Sequence, residues 1–339
     1  LNQRPLDKGK VEIVPAGSTL RSNRFKAIYY SDILSYFRTE SDEANISFRC
    51  ESVYFRFGKS DFGLRDINLN ERNGSLIGIM GASGSGKSTL FNVLNGNERP
   101  FSGKVFINGI DIHRQRKKIQ GLIGYVPQDD LLIEELTVYQ NLYYAAKLCF
   151  GHYTEAEIDD LVDKTLISLG LYEIKHQKVG DPLKKIVSGG QRKRLNIGLE
   201  LLREPMVLFV DEPTSGLSSR DSENIMDLLK ELSLRGKLIF TVIHQPSSDI
   251  FKMFDKLLIM DIGGYPIYYG NPVASVSYFR EAAKLIEKQS GACIECGNLN
   301  AEQIFNIIET RVVDEYGRQT DQRMYHRHCL VPPSVFPDD

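Results

Sequence analysis

The run Gly81-Ala82-Ser83-Gly84-Ser85-Gly86-Lys87-Ser88, followed by Thr89, has the spacing G-x-x-x-x-G-K-S. Two glycines, a lysine and a hydroxyl at fixed offsets arise by chance in only about one chain in a hundred of this length. Such a Gly-rich turn at a helix start offers converging backbone N–H groups and the positive end of the helix dipole to phosphate. Residues Gly84 to Thr89 are expected to cradle a triphosphate. Lys87 is expected to put a point charge on its bridging and terminal oxygens, and the Ser88 hydroxyl to bind Mg²⁺. An acidic pair, Asp211-Glu212, closes the apolar run Val207-Leu-Phe-Val210. Asp211 suits a metal held through water, and Glu212 an attacking water that must be oriented or deprotonated. The same pair, just before Pro213-Thr214, would also serve as a plain helix cap.

Two further polar residues follow apolar runs. Gln128, in Gly124-Tyr-Val-Pro-Gln-Asp-Asp130, could reach either the metal or the water, and His244, in Val242-Ile-His-Gln-Pro246, the terminal phosphate. A lone histidine there is commonly a structural hydrogen-bonder. The order phosphate loop, Gln, Asp-Glu, His at successive strand ends argues for one carboxyl sheet edge, where such folds bind ligands. Phe57 offers a π-face for adenine, with Tyr54 and Phe55 as substitutes and core packing as the alternative role.

The elements around these residues predict an α/β fold with a P-loop core, a mostly parallel sheet, an antiparallel β subdomain and an inserted helical subdomain. Residues 76–80 read as a buried strand feeding the glycine loop, with a helix from Lys87. Short alternating strands are expected over 46–69, and Asn108-Gly109 marks a hairpin turn. Helical periodicity over 137–150 and 155–169 places a helical subdomain at about 129–190. The core resumes with a strand at 206–210, a helix at 221–234 and strands at 238–243 and 256–260. Three segments follow: an extension at 1–44 with an aromatic helix at 25–37, an ATP-binding domain at 45–271, and a helical tail or linker at 272–339.

The 339 residues carry 42 Lys plus Arg against 44 Asp plus Glu, so the net charge of −2 disfavours a nucleic-acid role. No window approaches the roughly 18 consecutive apolar residues of a membrane helix. Five cysteines and no secretory signal fit a reducing, intracellular setting, and the start at Leu1 fits a piece of a longer polypeptide. Cys293, Cys296, His326, His328 and Cys329 have zinc-ligand types without a standard spacing, and reduced free thiols are the competing expectation.

On these motifs the chain resembles the nucleotide-binding domain of ATP-binding cassette transporters over about residues 46–270. The resemblance implies a signature at Ser188-Gly189-Gly190-Gln191, Walker B at 207–211, a catalytic Glu212, a glutamine loop at Gln128 and a switch His244. It implies a working dimer, in which Ser188 and Gly190 of one copy meet the γ-phosphate bound by the other. Thr137-Val-Tyr-Gln-Asn-Leu142, Val187-Ser-Gly-Gly-Gln-Arg-Lys-Arg194, Ile243-His-Gln-Pro-Ser247 and Asn300-Ala-Glu-Gln-Ile-Phe305 are similar to the G subfamily of exporters. That likeness implies a transmembrane domain on the same full-length polypeptide, a place on the cytoplasmic face of the membrane, and coupling through 129–145. Ser218 stands where the family usually has Asp, and Phe57 where it usually has Tyr. Competing expectations are a soluble cassette ATPase acting on ribosomes or DNA, and an ATP sensor with little turnover.

Overall fold

A computed structural model describes residues 19–22, 25–29, 46–58, 62–181, 186–282 and short pieces between 304 and 323. Two sheets organise it. Strands β3 (Ser47–Arg56), β4 (Phe62–Arg72), β6 (Ser102–Ile107) and β7 (Ile110–Asp111) form an antiparallel sheet in the order β4-β3-β6-β7. The β6–β7 turn falls at Asn108-Gly109, with Asn108 at φ 50° and Gly109 at φ 75°, the left-handed pair that such hairpins require.

The second sheet contains β5 (Leu76–Gly81), β8 (Ile123–Val126), β9 (Val207–Asp211), β10 (Leu238–Val242), β11 (Lys256–Asp261) and β12 (Tyr265–Gly270) in the order β12-β11-β5-β10-β9-β8. After β5 the chain runs to the far edge at β8 and works back through β9 and β10. It then passes β5 to place β11 on its other side. All pairs are parallel except β11 with β12, which form a hairpin at the edge.

Strict alternation explains why these strands are buried on both faces. In β9, Leu208 and Val210 join a core with Ile225, Met226 and Leu229 of α5 (Ser219–Leu234). Val207 and Phe209 point the other way, toward Phe48 of the antiparallel sheet and Phe91 of α1 (Lys87–Leu94). There Phe209 stacks on Phe240 at 5.1 Å and 10°, while Phe48 and Phe91 meet that pair at 5.0 and 5.3 Å. The parallel sheet is thus the middle layer, and its strand ends have little freedom to move.

The helical insertion comprises α2 (Val138–Cys149) and α3 (Glu155–Ser168), followed by α4 (Gly189–Leu201), which leads back to the sheet. Thr137, Thr154 and Ser188 each close a reciprocal capping box, with Gln140, Glu157 and Gln191 as the third helical residues. Ile158, Val162 and Leu166 of α3 and Leu142 of α2 make a separate core. Beyond α6 (Ser248–Phe251), helix α7 (Pro272–Ala282) packs Val276 and Phe279 into the main core, joined by Ile304, Ile307 and Ile308.

Three expectations are corrected. Phe25–Tyr29 is strand β2, paired antiparallel with β1 (Thr19–Ser22), instead of the start of a helix. Phe25, Ile28 and Tyr29 satisfy helical spacing, yet these five residues form a strand, and 30–37 of the expected helix lie outside the described residues. The tail is also not wholly helical, since β13 (Arg311–Val313) pairs antiparallel with β14 (Gln319–Arg323). The strands over 46–69 are long, at 10 and 11 residues. The five candidate zinc ligands lie outside the described residues. Among the described residues no helix is long and apolar enough to cross a membrane.

Candidate nucleotide site

The register brings four separated sequence signals to one edge. Val242 of β10 pairs with both Asp211 and Ile79, and Val126 of β8 with Val210. The segments leaving β5, β8, β9 and β10 therefore emerge side by side, carrying the glycine loop, Gln128, Asp211-Glu212 and His244.

The loop is shaped for a polyanion. A Cβ on Gly81 would lie 2.5 Å from both the Met260 carbonyl and Ser85 Oγ, and one on Gly86 only 2.7 Å from the Gly63 carbonyl. Gly86, at φ 92°, is the N-cap of α1 and supplies no side-chain cap, which leaves the first N–H groups of the helix for an external acceptor. Ser83, Gly84 and Ser88 are exposed at the lip, and Ala82 and Thr89 are half-buried. Ser85 differs: its side chain is fully buried beneath the loop, and its N–H donates to the Ala82 carbonyl at 3.2 Å. Lys87 donates to the carbonyls of Gly81 at 2.8 Å and Ala82 at 2.9 Å. Burial pushes its pKa down, opposed by the nearby charges of Glu212 and Asp211.

Glu212 is the centre of the polar cluster. One carboxylate oxygen lies 2.8 Å from His244 Nε2 and the other accepts from Gln128 Nε2 at 3.0 Å. Both Glu212 (φ 42°) and Gln245 (φ 39°) have left-handed backbones, a strain of order 1–3 kcal/mol each that clusters where side chains must be aimed. Asp211 is pushed up from the usual carboxylate range by burial and then by Glu212, against a hydrogen bond from Tyr125 and the charges of Lys193 and His244. A divalent cation here would reverse both raising effects, so the donor set suits a hard ion. The residues present fit a nucleotide with its metal: Ser88 and Asp211 to hold the ion, and Gln128 and Glu212 to hold the water.

Phe57 is 58% exposed at the end of β3, its ring edge-on to Phe55 at 5.2 Å. Its Cε2 would lie 2.5 Å from a Cβ on Gly63, the residue whose carbonyl abuts Gly86, so the ring sits one residue from the loop. Of the alternatives, Phe55 packs on the core and Tyr54 lies edge-on to Phe62 at 5.8 Å. Phe57→Ala is expected to weaken ATP binding by about 1–3 kcal/mol, roughly 5- to 150-fold, in a fluorescent-nucleotide titration. An affinity within twofold of the parent would remove Phe57 from the base site.

Ser188 and Gly189 are exposed at the start of α4, whereas Gly190 is buried against the first turn of α5. A Cβ on Gly190 would lie 2.6 Å from Asp221 Oδ1, and one on Gly189 3.0 Å from Leu217. Ser218 caps α5: its hydroxyl accepts from the Asp221 N–H at 3.1 Å and donates to the Asp221 carboxylate at 2.8 Å. Serine in this position preserves the helix start.

Sequence reasoning missed the grip of α4 on the glutamine segment. Lys193 donates to the carbonyls of Gln128 at 2.6 Å and Pro127 at 3.2 Å, Arg192 Nε meets Asp130 at 3.3 Å, and Asn196 Oδ1 accepts from Leu131 N–H at 3.2 Å. Arg192, Lys193 and Asn196 are all buried. Burial lowers the Lys193 pKa, against the surrounding acids Asp130, Asp211, Asp129 and Glu212. The available signal was a run of basic residues inside a helix of weak amphipathicity.

The ABC transporter family profile matches residues 64–215. ABC transporter G family member 14 of Arabidopsis thaliana is 41% identical over 269 residues, covering 76% of this chain and 41% of that protein. The ABC-type transporter claG of Penicillium crustosum is 42% identical over 212 residues, covering 62% of this chain and 28% of that protein. The chain thus spans about a third of the length of the curated relatives it matches. Among solved structures, cbiO1 from Clostridium perfringens, part of the ABC transporter complex cbiONQ, superposes with a TM-score of 0.61 at 30% identity. That match covers 71% of this chain and 95% of that one.

Proposed function

We propose that this chain, which belongs to the ABC transporter family of ATP-binding domains, is the ATP-hydrolysing part of a G-type transporter. In this reading two copies close over two ATP molecules, each with Mg²⁺, and the closure moves a membrane domain. The observation that carries it is the register-aligned cluster of Gln128, Glu212 and His244 beside the glycine loop.

The geometry supports the following division of labour. The N–H groups of the loop and Lys87 hold and neutralise the triphosphate, and Phe57 covers the base. Ser88 and Asp211 would hold the ion, which would supply charge neutralisation when bound. Glu212 takes a proton from water, His244 keeps the carboxylate aimed and faces the terminal phosphate, and Gln128 fixes the other carboxylate oxygen. The exposed Ser188 end of α4, where the capping box engages the Ser188 and Gln191 N–H groups and the positive dipole end remains, meets the partner copy's γ-phosphate. Leu131, Ile133, Tyr144 and Leu148, on α2 and the segment before it, are exposed at 64, 53, 48 and 88% and offer apolar side chains to the membrane half at the cytoplasmic side. This reading is favoured over a ribosome- or DNA-acting ATPase by the G-family relatives.

Light scattering on Glu212→Gln with Mg²⁺ and ATP tests the closure. The expected mass is near twice 38.4 kDa with nucleotide and 38.4 kDa without it. A monomer that binds ATP at every concentration would overturn self-closure and leave the sensor reading.

A further inference from the structure

The far end of α1 carries a feature that ATP hydrolysis does not use. A cleft of about 440 Å³ opens beside the turn after α1, lined by Arg99, His113, Arg114, Arg116, Lys117 and Lys118, and no carboxylate lines it. Within a chain of net charge −2, five Lys and Arg side chains share one cavity. Asp111, outside the cleft lining, pairs with Arg114 at 3.7 Å, and among the described residues no ion pair is formed by Arg99, Arg116, Lys117 or Lys118.

The segment bearing these cations is held in shape. Ile112 and Ile119 are buried at its two ends. Between them, Asp111 Oδ1 accepts from the N–H groups of His113 at 3.0 Å and Arg114 at 3.1 Å. The Gln115 N–H donates to the Asp111 carbonyl at 2.9 Å, and Lys118 N–H to that of Gln115 at 2.9 Å. His113 Nε2 lies 2.9 Å from the Glu98 carbonyl, which ties the turn to the segment that follows α1. Clustered like charges repel one another, and a fixed backbone prevents them from dispersing freely; an anion relieves that cost with little ordering entropy to lose.

We propose that this cleft binds a compact, multiply phosphorylated ligand, free or as a lipid headgroup. Guanidinium forks on Arg99, Arg114 and Arg116 suit the paired oxygens of phosphate, and Lys117 and Lys118 add point charge. The volume lies in the range of small-ligand sites, about 300–1,000 Å³, and is too large for a single orthophosphate to fill. The site is separate from the nucleotide loop, since the eight-residue helix α1 stands between them, a length of about 12 Å. It does not depend on the transport reading.

The test is calorimetric titration of the full chain with inositol hexakisphosphate as the soluble probe. Lys87→Ala is expected to keep the affinity within twofold, whereas R116Q/K117Q/K118Q is expected to lose tenfold or more while still binding ATP. Arg99→Gln, outside the turn, is expected to weaken the probe severalfold and covers the case in which the triple variant fails to fold. Binding that follows Lys87, or that both basic variants leave unchanged, overturns the proposal.

Flotation with phosphatidylcholine vesicles doped with phosphatidylinositol bisphosphate separates the sources. Capture lost in the triple variant assigns a lipid headgroup, and no capture beside tight soluble binding assigns a free ligand. Equal capture by phosphatidylserine vesicles, or equal competition by polyglutamate, would show bulk charge attraction and overturn a phosphate site.

Discussion

Glu212→Gln is expected to lower steady-state ATP hydrolysis by about 10²- to 10⁴-fold and to leave ATP affinity within twofold. On the barrier scale this is about 2.7–5.4 kcal/mol. The amide is isosteric and still accepts one of the two hydrogen bonds that Gln128 and His244 give the carboxylate, so the strand end keeps its shape. What it cannot do is take a proton from water. Phosphate release and nucleotide titration on the same preparation separate the two effects. Turnover equal to the parent would show that the base is another group and that Glu212 only braces His244.

Lys87→Ala is expected to reduce ATP affinity by 100-fold or more. Charge-assisted hydrogen bonds contribute about 1.5–3 kcal/mol each, and the ammonium can give more than one to a triphosphate. A second effect accompanies the first, because Lys87 also donates to the Gly81 and Ala82 carbonyls. Without it those acceptors lose their partner beneath the loop, at about 1–3 kcal/mol each where solvent cannot replace it. A melt without nucleotide is expected to drop by about 2–4 °C for each kcal/mol lost. Nucleotide affinity unchanged in the variant would move the phosphate contact off this lysine.

The meeting of Gln128, Glu212 and His244 was legible in the sequence because each stands just past the end of an apolar strand, and parallel strands deliver their ends to one edge. Gln128 and His244 carry little information alone; their order relative to Gly81 and Asp211 carried it. The grip of Lys193, Arg192 and Asn196 was not legible, because those side chains are buried for their hydrogen bonds. A buried polar helix has no hydrophobic period to read. Ser85 shows a similar limit. It lies inside the loop motif, yet only packing against Gly81 turns its side chain away from the open face. At the termini, β13 and β14 pair through segments such as Gln319–Arg323, QTDQR, with no apolar alternation to announce a strand.

The grip of α4 has a thermodynamic consequence. One helix presents Ser188 outward and, a turn further along, fixes the backbone of Gln128 through Lys193. If a neighbouring copy's nucleotide docks on the first end and thereby tightens the second by some factor, linkage demands that factor in the opposite direction as well. A well-seated Gln128 must then raise the neighbour's affinity for its own ATP equally. Occupancy at either mouth of such a pair is worth the same to the other, which makes the two nucleotides effectors of one another without any further device.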